Sequence, residues 1–230
     1  MKRLPIFEKR VYNMTKQRLS ILAVFAIAVL LAGCVTGLPL RKSDRKLNVS
    51  KNSLVLLRFA TVNFYDPLFT PKLSYIQFFN LQTNKRFRFQ PLPDDQTIDA
   101  LGYNHLWLGL FLPPGDYLIE RLDGKCETAM LGSSFKLKPF TKFTLPPQSI
   151  SYSGLIEISN AKPVKDGTTV SSSAQSFSSE ALLGNALAGY LNNSAFQIKV
   201  IDNSQEDLKG FRYFFHGLAN REIQINLATN

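Results

Sequence analysis

Short apolar stretches punctuated by proline and glycine turns predict a mainly β protein, an antiparallel β-sandwich with a C-terminal strand–helix–strand addition. Three observations carry this prediction. Side chains alternate, as in Arg86-Phe87-Arg88-Phe89 and in Lys136 and Lys138 beside Phe135 and Leu137. Breaks recur at Pro91-Leu92-Pro93, Pro113-Pro114-Gly115-Asp116 and Pro146-Pro147. Near the end, Leu208, Phe211 and Phe215 switch to helical spacing before Ile223, Ile225 and Leu227 return to period two.

Taken in order, Leu54-Val55-Leu56-Leu57 is a continuous apolar run suited to a buried strand, and Leu73–Phe79 is aromatic on both faces. Tyr103–Leu112 and Tyr117–Leu122 are strands flanking the Pro-Pro-Gly-Asp turn, where proline fixes φ and glycine supplies a positive φ. Tyr152–Ile158 and Phe196–Val200 are further strands. Between them, residues 165–180 are rich in Ser and Thr and predict a flexible loop. Leu182, Leu183, Ala186, Leu187, Tyr190 and Leu191 then predict a short helix, so the insertion spans 165–192. Asn203 with Glu206 has capping-box spacing, and Gly217 stands where a helix-ending glycine belongs.

Ahead of the body, six bases and one acid in residues 1–18 precede an uncharged stretch, Leu19–Gly33. That order of basic, apolar and small residues is the layout of a secretory signal. As a helix the stretch reaches roughly 22 Å, short of a hydrocarbon core about 30 Å thick. Met14 offers an alternative start to Met1, directly ahead of the apolar run. Leu31-Ala32-Gly33-Cys34 resembles the lipobox of bacterial lipoproteins. The resemblance implies cleavage before Cys34, a diacylglyceryl thioether on its sulfur and, in many bacteria, a further acyl group such as palmitate on the new amino terminus. Two or more chains anchor stably where one holds marginally. Val35, where such lipoproteins carry Asp for inner-membrane retention, implies an outer-membrane position facing the periplasm. The expected organisation is a signal over 1–33, a lipid anchor and flexible tether over 34–50, and one β-rich domain over 51–230.

The chain carries 27 Lys+Arg against 17 Asp+Glu, net +10, and half of that excess lies before Cys34. With Cys34 lipidated, Cys126 has no partner, so no structural disulfide is expected. No cofactor motif or metal-ligand spacing occurs, and His105 and His216 lack a cysteine pair.

Leu112-Pro113-Pro114-Gly115-Asp116-Tyr117, with the later Tyr152-Ser153-Gly154, resembles the prealbumin-like β-sandwich modules of envelope lipoproteins. These motifs encode turn geometry, and the resemblance transfers no catalytic residue; such modules bind or brace.

Two faces are candidates for contact. Tyr103, His105 and Trp107 share one strand face, a row that suits stacking on a sugar or peptide and equally a core seam. Arg86, Arg88, Lys136, Lys138 and Lys142 point away from aromatic core positions and would form a basic surface for an envelope anion or an acidic protein patch, with nucleic acid excluded outside the cytoplasm. Asp94, Asp95 and Asp99 lack the spacing of a calcium loop and are expected as a solvated turn. The expectation is a membrane-anchored envelope lipoprotein with a non-catalytic binding or structural role. The alternatives are an envelope hydrolase with an unrecognised site and an accessory subunit of a secretion or surface-assembly machine.

Overall fold

The apolar runs build two β-sheets packed face to face, with a helix on the outer face of one of them. The computed structural model describes residues 35–36, 38–63, 70–127, 132–160, 175–176 and 196–229. A two-residue strand, β1 (Val35–Thr36), is followed by β2 (Leu38–Pro39) and β3 (Ser53–Asn63). Next come β4 (Lys72–Asn80), β5 (Arg86–Phe89), β6 (Gln96–Ile98), β7 (Asn104–Leu112) and β8 (Gly115–Glu127). Then follow β9 (Gly132–Leu137), β10 (Thr141–Leu145), β11 (Ile150–Asn160), β12 (Gln175–Ser176) and β13 (Phe196–Ile201). Helix α1 (Ser204–Phe214) and β14 (Gln224–Ile225) end the chain. Thr36–Asn230 forms one compact unit, distinct from Met1–Val35.

The first sheet has the order β5-β4-β8-β9-β12. β10 and β9 lie end to end along β8, one on Gly115–Ile119 and the other on Leu122–Glu127. Lys138, Pro139 and Phe140, the last at φ 54°, separate them. At the expected Pro113–Asp116 turn the chain bends at Pro114 and passes from the second sheet to the first, and Gly115, already in β8, sits at φ +145° with Gln82 Oε1 only 2.6 Å from where a Cβ would stand.

The second sheet runs β13-β11-β3-β7-β2, with β14 beside β11 and β6 beside β7. Its central pair departs from the antiparallel expectation, because β3 and β11 run parallel. A parallel pair suits strands covered on both faces, and every residue of β3 except Arg58 is buried. Val55, Leu57 and Phe59 point into the sandwich core with Ile76, Phe78, Tyr117 and Phe143. Leu54 and Leu56 point the other way and pack with Tyr152, Phe211 and Phe215.

That second cluster also contains Leu40 and Leu47, both buried. The stretch expected as a free tether therefore lies on the body from Leu38 onward: β2 pairs with β7, and Leu40 N–H donates to Gly109 O at 2.8 Å. Its two leucines are the reason, since they fill the space beside α1. The helix end differs in two details from the sequence reading. Asn203 makes no side-chain cap; its amide donates to Asp207, and Asp202 accepts Ser204 N–H at 3.0 Å. Gly217 lies beyond the helix in a short turn, where a Cβ would stand 2.7 Å from the Asp44 carbonyl oxygen, so close approach requires glycine there. The signal, Cys34 and the helix expected near 182–191 lie outside the described residues; of the Ser-rich stretch, Gln175–Ser176 pairs with β9. Among the described residues no helix is long and apolar enough to cross a membrane.

Candidate functional site

Tyr103, His105 and Trp107 lie on the α1-covered face of the second sheet. Tyr103 and His105 stack with centroids 6.1 Å apart and planes 2° from parallel. Trp107 meets Phe211 and Phe214 of α1 at 5.0 and 5.2 Å. In register with Trp107 on β3, Arg58 lays its guanidinium 4.7 Å over the indole. Gly210 lets α1 approach the indole, since a Cβ there would stand 2.3 Å from the ring. The row is thus largely a seam between sheet and helix, with the half-buried indole packed against Arg58 and α1.

A chain of polar contacts runs through this seam. Arg58 Nη1 lies 2.6 Å from Asp207 Oδ1, which also accepts from Asn203 Nδ2 at 2.6 Å. Tyr152 Oη donates to Asp207 Oδ2 at 2.7 Å. On the other side, Arg58 Nη2 meets His105 Nδ1 at 3.2 Å, and His105 Nε2 meets Asp99 Oδ2 at 2.9 Å. A guanidinium can only donate, so Nδ1 accepts and Nε2–H donates, which assigns the neutral Nε2–H tautomer. Burial, then the bond to Asp207 and its charge, push the Tyr152 phenol well above its ordinary value. Burial of Asp99 is outweighed by hydrogen bonds from His105 and from Tyr103 and Leu101 N–H, which hold its carboxyl below the usual range.

This arrangement fixes charges in place. Both nitrogens of His105 are engaged, by a carboxylate and a guanidinium. His216 is exposed on its turn. Among the described residues no three His, Cys, Asp or Glu side chains are grouped to hold a metal ion.

The five expected cations do share one surface, the outer face of the first sheet. Arg86 binds Glu120 through Nε and Nη2 at 2.8 and 3.0 Å and lies 4.8 Å over Phe79. The hydrogen bond from Arg86, against burial and with help from Gln77, holds the Glu120 carboxyl low. Lys136 stands opposite Asp123, and Lys142 opposite Leu118. Arg88, Lys138 and Lys142 are exposed. The face therefore carries both signs, with cations in excess.

A third feature has no counterpart in the sequence reading. One edge of β7 is occupied by β3; along the other, β2 covers Leu110–Phe111 and β6 covers Asn104–Leu106. Between these two short strands, beyond the Leu40 bond to Gly109, the edge is interrupted at Trp107–Leu108, and there a cleft of about 690 Å³ opens. Phe89, Trp107 and Phe214 line it half-buried, while Leu92 at its mouth is 65 % exposed. Arg41 and Lys42 arrive from the β2 end and Asp94 and Asp95 from the β6 end. Asp95 closes its own turn by accepting Leu92 N–H at 2.8 Å. Lys42 Nζ lies 5.7 Å from the Phe214 ring centre.

No protein family, curated protein or solved structure matches this chain. Sequence reading missed Arg58, Asp207 and Gly210, although each left a trace. Arg58 is the one charge inside the apolar run Leu54–Val62, and such a charge requires a partner. Asp207 falls on the apolar side of the α1 pattern, and Gly210 interrupts a helix that propensity alone would fill.

Proposed function

We propose that this chain is an exported lipoprotein, held by lipid on Cys34 and facing the periplasm from the outer membrane, whose prealbumin-like body binds a ligand without catalysing a reaction. The cleft at the β7 edge carries the binding half of this reading. It is concave, lined by aromatic side chains and flanked by charges of both signs, and its size is that of a small-molecule site. Both ring nitrogens of His105 are committed, to Asp99 and Arg58, which favours binding over the hydrolase alternative. The anchoring half rests on Leu31-Ala32-Gly33-Cys34 behind its basic and apolar segments.

Cys34→Ala tests the anchor. The variant should accumulate as an uncleaved precursor with slower gel mobility, and it should incorporate no labelled palmitate. Normal processing with release from the membrane would overturn the lipoprotein reading.

A further inference from the structure

The cleft's charges are segregated along the strand it interrupts. Pro39 pairs with Leu110 and Gln96 with Leu106, so the flanking strands stand about 13 Å apart along β7. Arg41 and Lys42 extend from the first, Asp94 and Asp95 from the second, with Phe89, Leu92, Trp107 and Phe214 between. Among the described residues Arg41, Lys42 and Asp94 form no ion pair. They remain available to a ligand although Asp95 is bound to its own turn.

We propose that the cleft holds one acyl chain of a phosphoethanolamine lipid, with the head group lying across the charged mouth. The phosphate oxygens accept from Arg41 and Lys42, and the ammonium donates to Asp94. An anionic head group would satisfy the cations and leave Asp94 facing like charge. A phosphocholine would offer Asp94 no N–H donor. The half-buried aromatic lining receives the chain, an apolar surface taking an apolar partner. The choice of a lipid rests on the lipoprotein reading: Pro39 lies five positions after Cys34, at most about 18 Å of extended chain, which keeps the cleft beside the bilayer surface.

Trp107 is the sole tryptophan in the chain and lines the cleft, so its emission reports occupancy. The full-length protein is held in nanodiscs of saturated phosphatidylcholine and titrated with single-chain lipids brominated on the acyl chain, which quench indole on contact. Brominated lysophosphatidylethanolamine should quench Trp107 more strongly than the phosphocholine and phosphoglycerol analogues. Arg41→Gln with Lys42→Gln should weaken that quenching about tenfold, and Asp94→Asn should erase the preference for ethanolamine over choline. These residues are exposed, so melting temperatures should stay unchanged. Equal quenching by all three head groups, no quenching, or displacement by a zwitterionic dipeptide would overturn the proposal. The mass of the Cys34 peptide in the same preparation reports the anchor separately, so an unlipidated cysteine and an empty cleft are distinct results.

Discussion

The two outer faces of the sandwich carry the same constellation in different surroundings. On the first sheet Arg86 binds Glu120 and lies over Phe79; on the second Arg58 binds Asp207 and lies over Trp107. Side-chain exposures are 46 % and 27 % for the first pair but 17 % and 0 % for the second. Water solvates the separated charges of the open pair, so that pair contributes about 0–1 kcal/mol. Under α1 nothing replaces a lost partner, and breaking a buried pair costs about 3–5 kcal/mol. One helix thus converts a surface ion pair into a lock.

Asp207→Ala should give the largest effect, about 3–5 kcal/mol in urea unfolding, because Arg58, Tyr152 and Asn203 all lose their acceptor. A loss below about 1 kcal/mol would show that the buried pair behaves like the open one. Replacing both charges, Arg58→Met with Asp207→Leu, should recover only the part due to the stranded guanidinium, since Tyr152 and Asn203 still lack their acceptor.

Tyr152→Phe should cost about 1.5–3 kcal/mol, the range for a hydrogen bond to a charged group. Its pH signature is specific. The folded state raises the phenol's pKa, so above about pH 10 the native state holds a proton that the unfolded state releases, and stability falls as pH rises. The variant should fall less steeply. A residual slope remains from Tyr117, which burial pushes up to about 12. Identical alkaline slopes in the two proteins would remove the Tyr152–Asp207 contact from the account.

On the open face, Arg86→Gln should change stability by no more than about 1 kcal/mol. Glu120 is held low in the folded state, so its contribution is present at neutral pH and disappears as pH falls through the carboxylate range. Adding Arg88→Gln should weaken low-salt co-sedimentation with anionic vesicles, an attraction that salt screens beyond about 8 Å at 0.15 M. A cost like that of Asp207→Ala would erase the distinction between the faces.

The difference between the faces also marks what the sequence made legible. The open face follows from local pattern: Arg86-Phe87-Arg88 alternates, and a period of two fixes which side chains point outward. The positive φ at Gly115 was equally readable, because its chemistry lies in adjacent residues. The covered face was legible only in part. The spacing of Leu208, Phe211 and Phe215 predicted a helix, and α1 is there. Its lock joins residues 149 apart, and no local period connects Arg58 to Asp207. The cleft was invisible for a related reason. It arises where two short strands fail to meet along β7, and one of them belongs to a stretch whose charges suggested a tether.

The parallel pairing of β3 with β11 has a kinetic consequence. Leu54 meets Ile150, and most of the first sheet lies between them in the chain. Pairings of such long separation form late and place a domain toward the slow, millisecond-to-second end of folding. While β3 waits, Leu54–Leu57, bound for burial on both sides, stays open to other chains on the flank that β11 will cover. Refolding yield should therefore drop as protein concentration rises. A nascent chain that ends before Ile150 exposes that same edge, a natural docking point for a holding chaperone.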